Sequence, residues 1–158
     1  YAERMAFRLK AMGRAEYQDV VDAHGHWTGH VQVVEDRRVA PLHWRKGRVV
    51  FVGSMTDICH EQVSDEMIRH VLNVTQWASQ HTYIFLTKRP RRMVEVFGDW
   101  QRGQGAIPGN VWAGVSAEGQ PEANERVAEL LKLGPGWKFV LSAEPLLEPL
   151  DIRHFLTC

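Results

Sequence analysis

Apolar residues along the chain gather in four short runs: residues 48–54 (RVVFVGS), 82–88 (TYIFLTK), 111–117 (VWAGVSA) and 138–143 (KFVLSA). Their starts lie 34, 29 and 27 residues apart. Each run is rich in Val, Ile, Phe or Trp and is continuous rather than strictly alternating. Such runs predict strands buried on both faces, as in a parallel sheet.

Between the runs the apolar period becomes helical. Ser64 is a predicted N-cap, with Asp65 and Glu66 placed to meet the positive end of the helix dipole. Ile68, Val71, Leu72, Thr75 and Ala78 then form a stripe at helical spacing. Pro90 suits the first position of a second helix, whose Met93, Val94, Phe97 and Trp100 line one face. Pro121 opens a third, in which Ala123, Val127, Leu130 and Leu131 recur and Gly134 is the stop. A further helix over residues 2–12 carries Met5, Ala6, Leu9 and Met12 on one side and ends at Gly13.

Residues 13–47 are the least regular stretch. Residues 24–29 read as a loop, 31–34 as a short extended piece and 41–44 as a turn of helix, while 101–109 (QRGQGAIPG) reads as a surface loop. The order is therefore helix, irregular segment, three strand–helix units and a fourth strand. That alternation predicts an α/β fold, a parallel sheet of repeated βα units in one domain spanning residues 1–158.

Composition narrows the class without choosing a function. The 158 residues carry 19 basic and 19 acidic side chains, 44% hydrophobic residues and 24% charged ones. These values exclude wholesale disorder and low-complexity polymer. No apolar run approaches the roughly 18 residues of a membrane span. Zero net charge argues against wrapping duplex nucleic acid by bulk electrostatics. The charge is unevenly placed: nine basic against six acidic residues over 1–48, and ten against thirteen over 49–158. Two cysteines, Cys59 and Cys158, make no disulfide framework and point to reduced thiols in a cytoplasm.

In a parallel α/β fold, chemistry collects where strands end and helices begin. Ser54, Asp57 and His60 follow the first run; Thr87, Lys88 and Arg89 the second; Ser116 and Glu118 the third; Ser142 and Glu144 the fourth. Four strand ends bearing hydroxyl and charge predict a polar rim around one mouth. A structural ion-pair network, with Asp57 and Glu144 as partners of Lys88 and Arg89, reads the same in sequence as an active site. Ser and Thr at strand ends also serve as helix caps. Arg91 and Arg92 read as a solvated helix start.

Other features carry less. His24, His26 and His30 (HGHWTGH) lack the spacing of a zinc motif and are expected as exposed loop histidines. Cys59 and His60 are adjacent, and neighbouring residues on an extended chain point opposite ways, so they form no nucleophile–base dyad. Neither the P-loop nor the dinucleotide fingerprint occurs. Trp77, Trp100 and Trp112 are expected in the core.

Six collinear stretches resemble a known family: residues 1–6 (YAERMA), 41–46 (PLHWRK), 53–57 (GSMTD), 86–90 (LTKRP), 110–116 (NVWAGVS) and 142–147 (SAEPLL). Together they resemble a phage-associated family of uncharacterised radical-SAM-like barrel proteins, distant relatives of spore photoproduct lyase. The resemblance covers essentially the whole chain. Gly53 stands where the family often has Asn, and Ile58–Cys59 where it often has Leu–Phe.

The resemblance implies an incomplete (β/α) barrel that binds S-adenosylmethionine and a 4Fe-4S cluster. It places the cluster cysteines immediately before the position of Tyr1, and the remaining strands before Tyr1 and after Cys158. Cys59 and Cys158 do not replace a three-cysteine motif, so the chain is expected to bind no stable cluster and to be inactive by itself. By position, Ser54 and Asp57 would meet the cofactor's amino group. Lys88, with Arg89 second, would meet its carboxylate. Ser116, Glu118, Ser142 and Glu144 would meet ribose hydroxyls or substrate.

Three functions stay open. The first is a phage or prophage radical S-adenosylmethionine enzyme, lyase or oxidoreductase, that forms a 5′-deoxyadenosyl radical; its kinship with a DNA-lesion lyase admits a nucleic-acid substrate. The second is a cluster-free barrel hydrolase or lyase using Asp57, His60 and Glu144 as acid and base. The third is a non-catalytic truncated binding module. Uncovered sheet edges also predict self-association.

Overall fold

The computed structural model describes residues 2–104 and 106–156. Tyr1 of the YAERMA stretch, Gly105 of the 101–109 stretch and Cys158 lie outside them. The chain is α/β. Helix α1 (Ala2–Ala11) and a short helix α2 (Glu35–Val39) precede the sheet. Strands β1 (Val49–Val52), β2 (Thr82–Thr87), β3 (Val111–Ser116) and β4 (Lys138–Ser142) then alternate with α3 (Asp65–Trp77), α4 (Pro90–Gln104) and α5 (Gln120–Leu130).

All three pairings are parallel, in the order β1-β2-β3-β4. Phe51 lies beside Ile84, Phe85 beside Ala113, and Ser116 beside Ser142. The sheet is open, with β1 and β4 as its edges.

The helix signals act as the sequence predicts. Ser64 caps α3, its hydroxyl accepting from the Met67 N–H at 3.2 Å. Pro90 is the first residue of α4, where its missing N–H costs no helical bond. Gly134 takes φ 88° just past the 3₁₀ turn that closes α5, and Gly13 takes φ 78° after α1.

Burial on both strand faces is not what forms. In β2, Tyr83, Phe85 and Thr87 are buried while Thr82, Ile84 and Leu86 are only partly covered. The buried set packs with Ile68 and Leu72 of α3, Met93, Phe97 and Trp100 of α4, and Val127 and Leu130 of α5. The three long helices therefore cover one face. On the other, Val49 and Phe51 are exposed, and Leu86 and Val140 close over Gly114.

Gly114 is required there: a Cβ would lie 2.3 Å from Val140 Cγ1 and 2.7 Å from the Val140 carbonyl oxygen.

Other expectations change with the packing. Trp77 is 62% exposed, because α3 turns its last residue outward against the edge of His70. Trp112 lies on the face without helices, half-buried beneath the Lys138 ammonium. Only Trp100 of the three is in the core, its indole N–H donating to Asn73. Met12 is exposed and Ala6 alone is buried on α1. Residues 101–104 continue α4 rather than forming a loop. Residues 31–34 form no strand.

His81 is buried at the N-terminal end of β2. Its Nδ1 accepts from the Arg48 N–H and its Nε2 faces the Pro41 carbonyl at 3.0 Å, which requires the proton on Nε2. Asn110 bonds the carbonyls of Thr75 and His81. These buried polar contacts tie the irregular segment to the sheet, and account for His81 without any catalytic role.

Candidate functional site

The rim forms where β1, β2 and β3 end. After Val52 the chain turns at Gly53, whose φ of 73° is one that L side chains rarely adopt. The Thr56 N–H donates to the Gly53 carbonyl, and that turn delivers Asp57 over the end of β2.

Asp57 is the hub of this corner. Its Oδ1 accepts from the Cys59 N–H at 2.9 Å and the Thr87 hydroxyl at 2.8 Å. Its Oδ2 accepts from the Lys88 N–H at 3.1 Å and from Arg89 Nη1 at 3.0 Å. Thr87 in turn accepts from the Arg89 N–H at 2.8 Å. A carboxylate offers about four lone-pair sites, so Asp57 is filled. It fixes the first loop to the strand end rather than standing free as a base.

The second cluster joins β2 to β3. Lys88 pairs with Glu118, and Arg126 of α5 reaches Glu118 Oε2 at 3.0 Å and the Ser116 carbonyl at 2.6 Å. Glu118 and Arg126 are mostly covered, whereas Lys88 is about half exposed. The Lys88 ammonium bonded to it holds the Glu118 carboxyl below its usual range; partial burial opposes this and Arg126 adds to it.

Ser116 and Ser142 are register partners, so their side chains leave the same face of the sheet, the one without helices. Their hydroxyls, that of Ser54 and the exposed Glu144 carboxylate make no hydrogen bond among the described residues. The segment after β4 folds back on the start of α5: Leu147 N–H donates to the Glu118 carbonyl, and Gln120 N–H to Glu148.

The structure thus joins Asp57, Thr87, Lys88, Arg89 and Glu118 at one rim. The ion pairs differ from the network the sequence suggests: Asp57 pairs with Arg89, but Lys88 pairs with Glu118 and Glu144 with neither cation. Asp57 is bonded at β2, whereas Glu144 follows β4, the far edge strand. His60 Nδ1 accepts from the Gln62 N–H, and no bond links His60 to Glu144 among the described residues.

Cys59 is fully buried and its thiol is pushed up to about 12, first by burial and then by the Asp57 charge. Arg91 is solvated, as expected, but Arg92 is not. It clamps the carbonyls of His60 and Val63 and pairs with Asp65 at 2.9 Å. His24, His26 and His30 are exposed. Among the described residues, no group of three or more His, Cys, Asp or Glu is arranged to hold a metal ion.

Arg126 is the rim residue that sequence reasoning misses. It lies within α5 beside the buried Val127, and only the return of α5 over β3 brings it to Glu118.

A family model described as "Protein of unknown function (DUF5131)" matches residues 1–156. No curated protein matches the chain, and no solved structure does.

Proposed function

The chain belongs to the family described as protein of unknown function DUF5131, a description that names no activity, and from the polar rim and the resemblance of its strand-end stretches we propose that the rim over β2 and β3 is the S-adenosylmethionine-binding part of a radical S-adenosylmethionine-type enzyme. The observation that carries the reading is Lys88: a half-exposed ammonium held at a strand end by Glu118, which Arg126 holds in turn. An ammonium has three N–H donors. Glu118 engages Lys88 at one oxygen, which leaves donors for a ligand carboxylate. The unbonded Ser54 hydroxyl suits the ligand's amino group, and Ser116 with Glu118 suits ribose hydroxyls. Asp57 and Thr87 position the Lys88 and Arg89 backbone.

The fold adds support. An incomplete (β/α) barrel would share the 1-2-3-4 parallel order and the helices on one face, which the open sheet has. The implied 4Fe-4S cluster finds no fit among the described residues, since Cys59 is buried and holds its proton. Ligand binding is therefore assigned to the polar rim alone. The acid–base reading on Asp57, His60 and Glu144 has weaker support, because Asp57 is saturated with donors and Glu144 follows the opposite edge strand.

Isothermal titration with S-adenosylmethionine tests the reading. The chain is expected to bind it, and Lys88→Met to weaken binding by at least about tenfold, the loss of one charge-assisted contact. Absence of binding at millimolar ligand, or equal binding by Lys88→Met, would overturn it.

A further inference from the structure

The four parallel strands all start at the end of the sheet opposite the rim, and that end has its own charge pattern. Residues 49–158 include ten basic side chains, and nine of them have an ion pair. The tenth, Lys138, is exposed and opens β4. Arg45, Lys46 and Arg48, just before β1, are exposed too and have no ion pair among the described residues.

No acid is placed to offset them. The sequence has no Asp or Glu from Arg37 to Thr56, and none in residues 78–82, 105–110 or 131–138, which lead into the other three strands. The last acids of α4 and α5, Asp99 and Glu129, already meet Arg102 and Lys132. None of the four cations lies in the last turn of a helix, where it would serve the helix dipole.

Two of the four are held against indoles. The Arg48 guanidinium carbon lies 4.8 Å from the centroid of the half-buried Trp44 ring, whose edge contact to the buried His81 fixes it to the sheet. The Lys138 ammonium lies 5.6 Å from the Trp112 centroid and bonds the Gly109 carbonyl. These contacts orient the cations and leave their charge uncancelled.

We propose that this end of the sheet binds single-stranded nucleic acid through its phosphates, at a surface separate from the rim. β1 and β4 are three strand spacings apart, about 14 Å, so the cations suit a chain of phosphates rather than one phosphate group. Indoles beside the cations suit bases, which stack on aromatic rings; an acidic peptide would use the charges alone.

Fluorescence anisotropy with labelled oligothymidylate, beside a labelled oligoglutamate of equal charge, tests the proposal. Oligothymidylate is expected to bind, with log K falling against log salt at a slope of roughly −3, about 0.7 for each of four cations. Removing Arg45 and Lys46 together as Arg45→Gln and Lys46→Gln is expected to weaken binding at least about tenfold at low salt and to halve the slope. Lys138→Gln serves if that variant misfolds, with a slope smaller by about 0.7. Arg91→Gln with Arg153→Gln removes the same charge away from this end and is expected to change neither value. No binding at low salt, equal affinity for oligoglutamate, or the same losses in the Arg91 and Arg153 variant would overturn the proposal.

Discussion

Cys59 donates its backbone N–H to Asp57 while its side chain turns into the core, and the two facts fix what the thiol can do. Burial, then the Asp57 charge, raise its pKa from 9.0 to about 12. The folded chain binds this proton more tightly than the unfolded one. Its stabilising effect is whole below the ordinary thiol range and is lost as pH climbs from 9.0 toward about 12. In a Cys158→Ser chain, iodoacetamide at neutral pH is expected to label Cys59 only after denaturant unfolding. Labelling of the folded chain at the rate of a free thiol would contradict this. The hydroxyl-plus-charge pattern at the strand ends is legible residue by residue. The pairing within it is not: Lys88 meets Glu118, and Asp57 meets Arg89, because of how the loops cross.

At the scale of the element, local signals predict starts and stops well. Ser64 acts through its hydroxyl on the turn that follows it, and Pro90 and Gly134 through their own backbone, so neighbours in sequence suffice to read them. Which side of an element is buried depends on what packs there. The continuous apolar runs leave that open, and alternating burial in β2 settles it. Trp77, apolar and helical, is exposed because it lies on the outer side of the last turn of α3, whose Val74 and Thr75 take the buried side. Gly114 shows the reverse: a glycine in mid-strand is fixed by Leu86 and Val140 on the neighbouring strands. Gly114→Ala is expected to destabilise the chain by about 2 kcal/mol, because one obstruction is the β4 backbone itself. Urea unfolding reads this as a lower midpoint, and an unchanged midpoint would refute it.

For the molecule as a whole, the open sheet is the feature with consequences. Its helix-free face carries Val49 and Phe51, 71% and 48% exposed, on an edge strand with free hydrogen-bonding groups. The chain is expected to self-associate, with light scattering at high concentration giving a mass above 18.1 kDa. Phe51→Lys is expected to lower that mass. A monodisperse 18.1 kDa species would count against the prediction.

By itself the sequence determines the order and spacing of βα units, the caps that bound them and the collection of polar residues at strand ends. Those properties follow from backbone preferences and from periodicity, which act over a few residues. Only the tertiary structure decides which polar residues meet. Arg126 reaches Glu118 because α5 returns over β3, and Glu144 stands apart because β4 is an edge. Contacts between residues distant in the chain depend on packing the whole sheet and its helices at once.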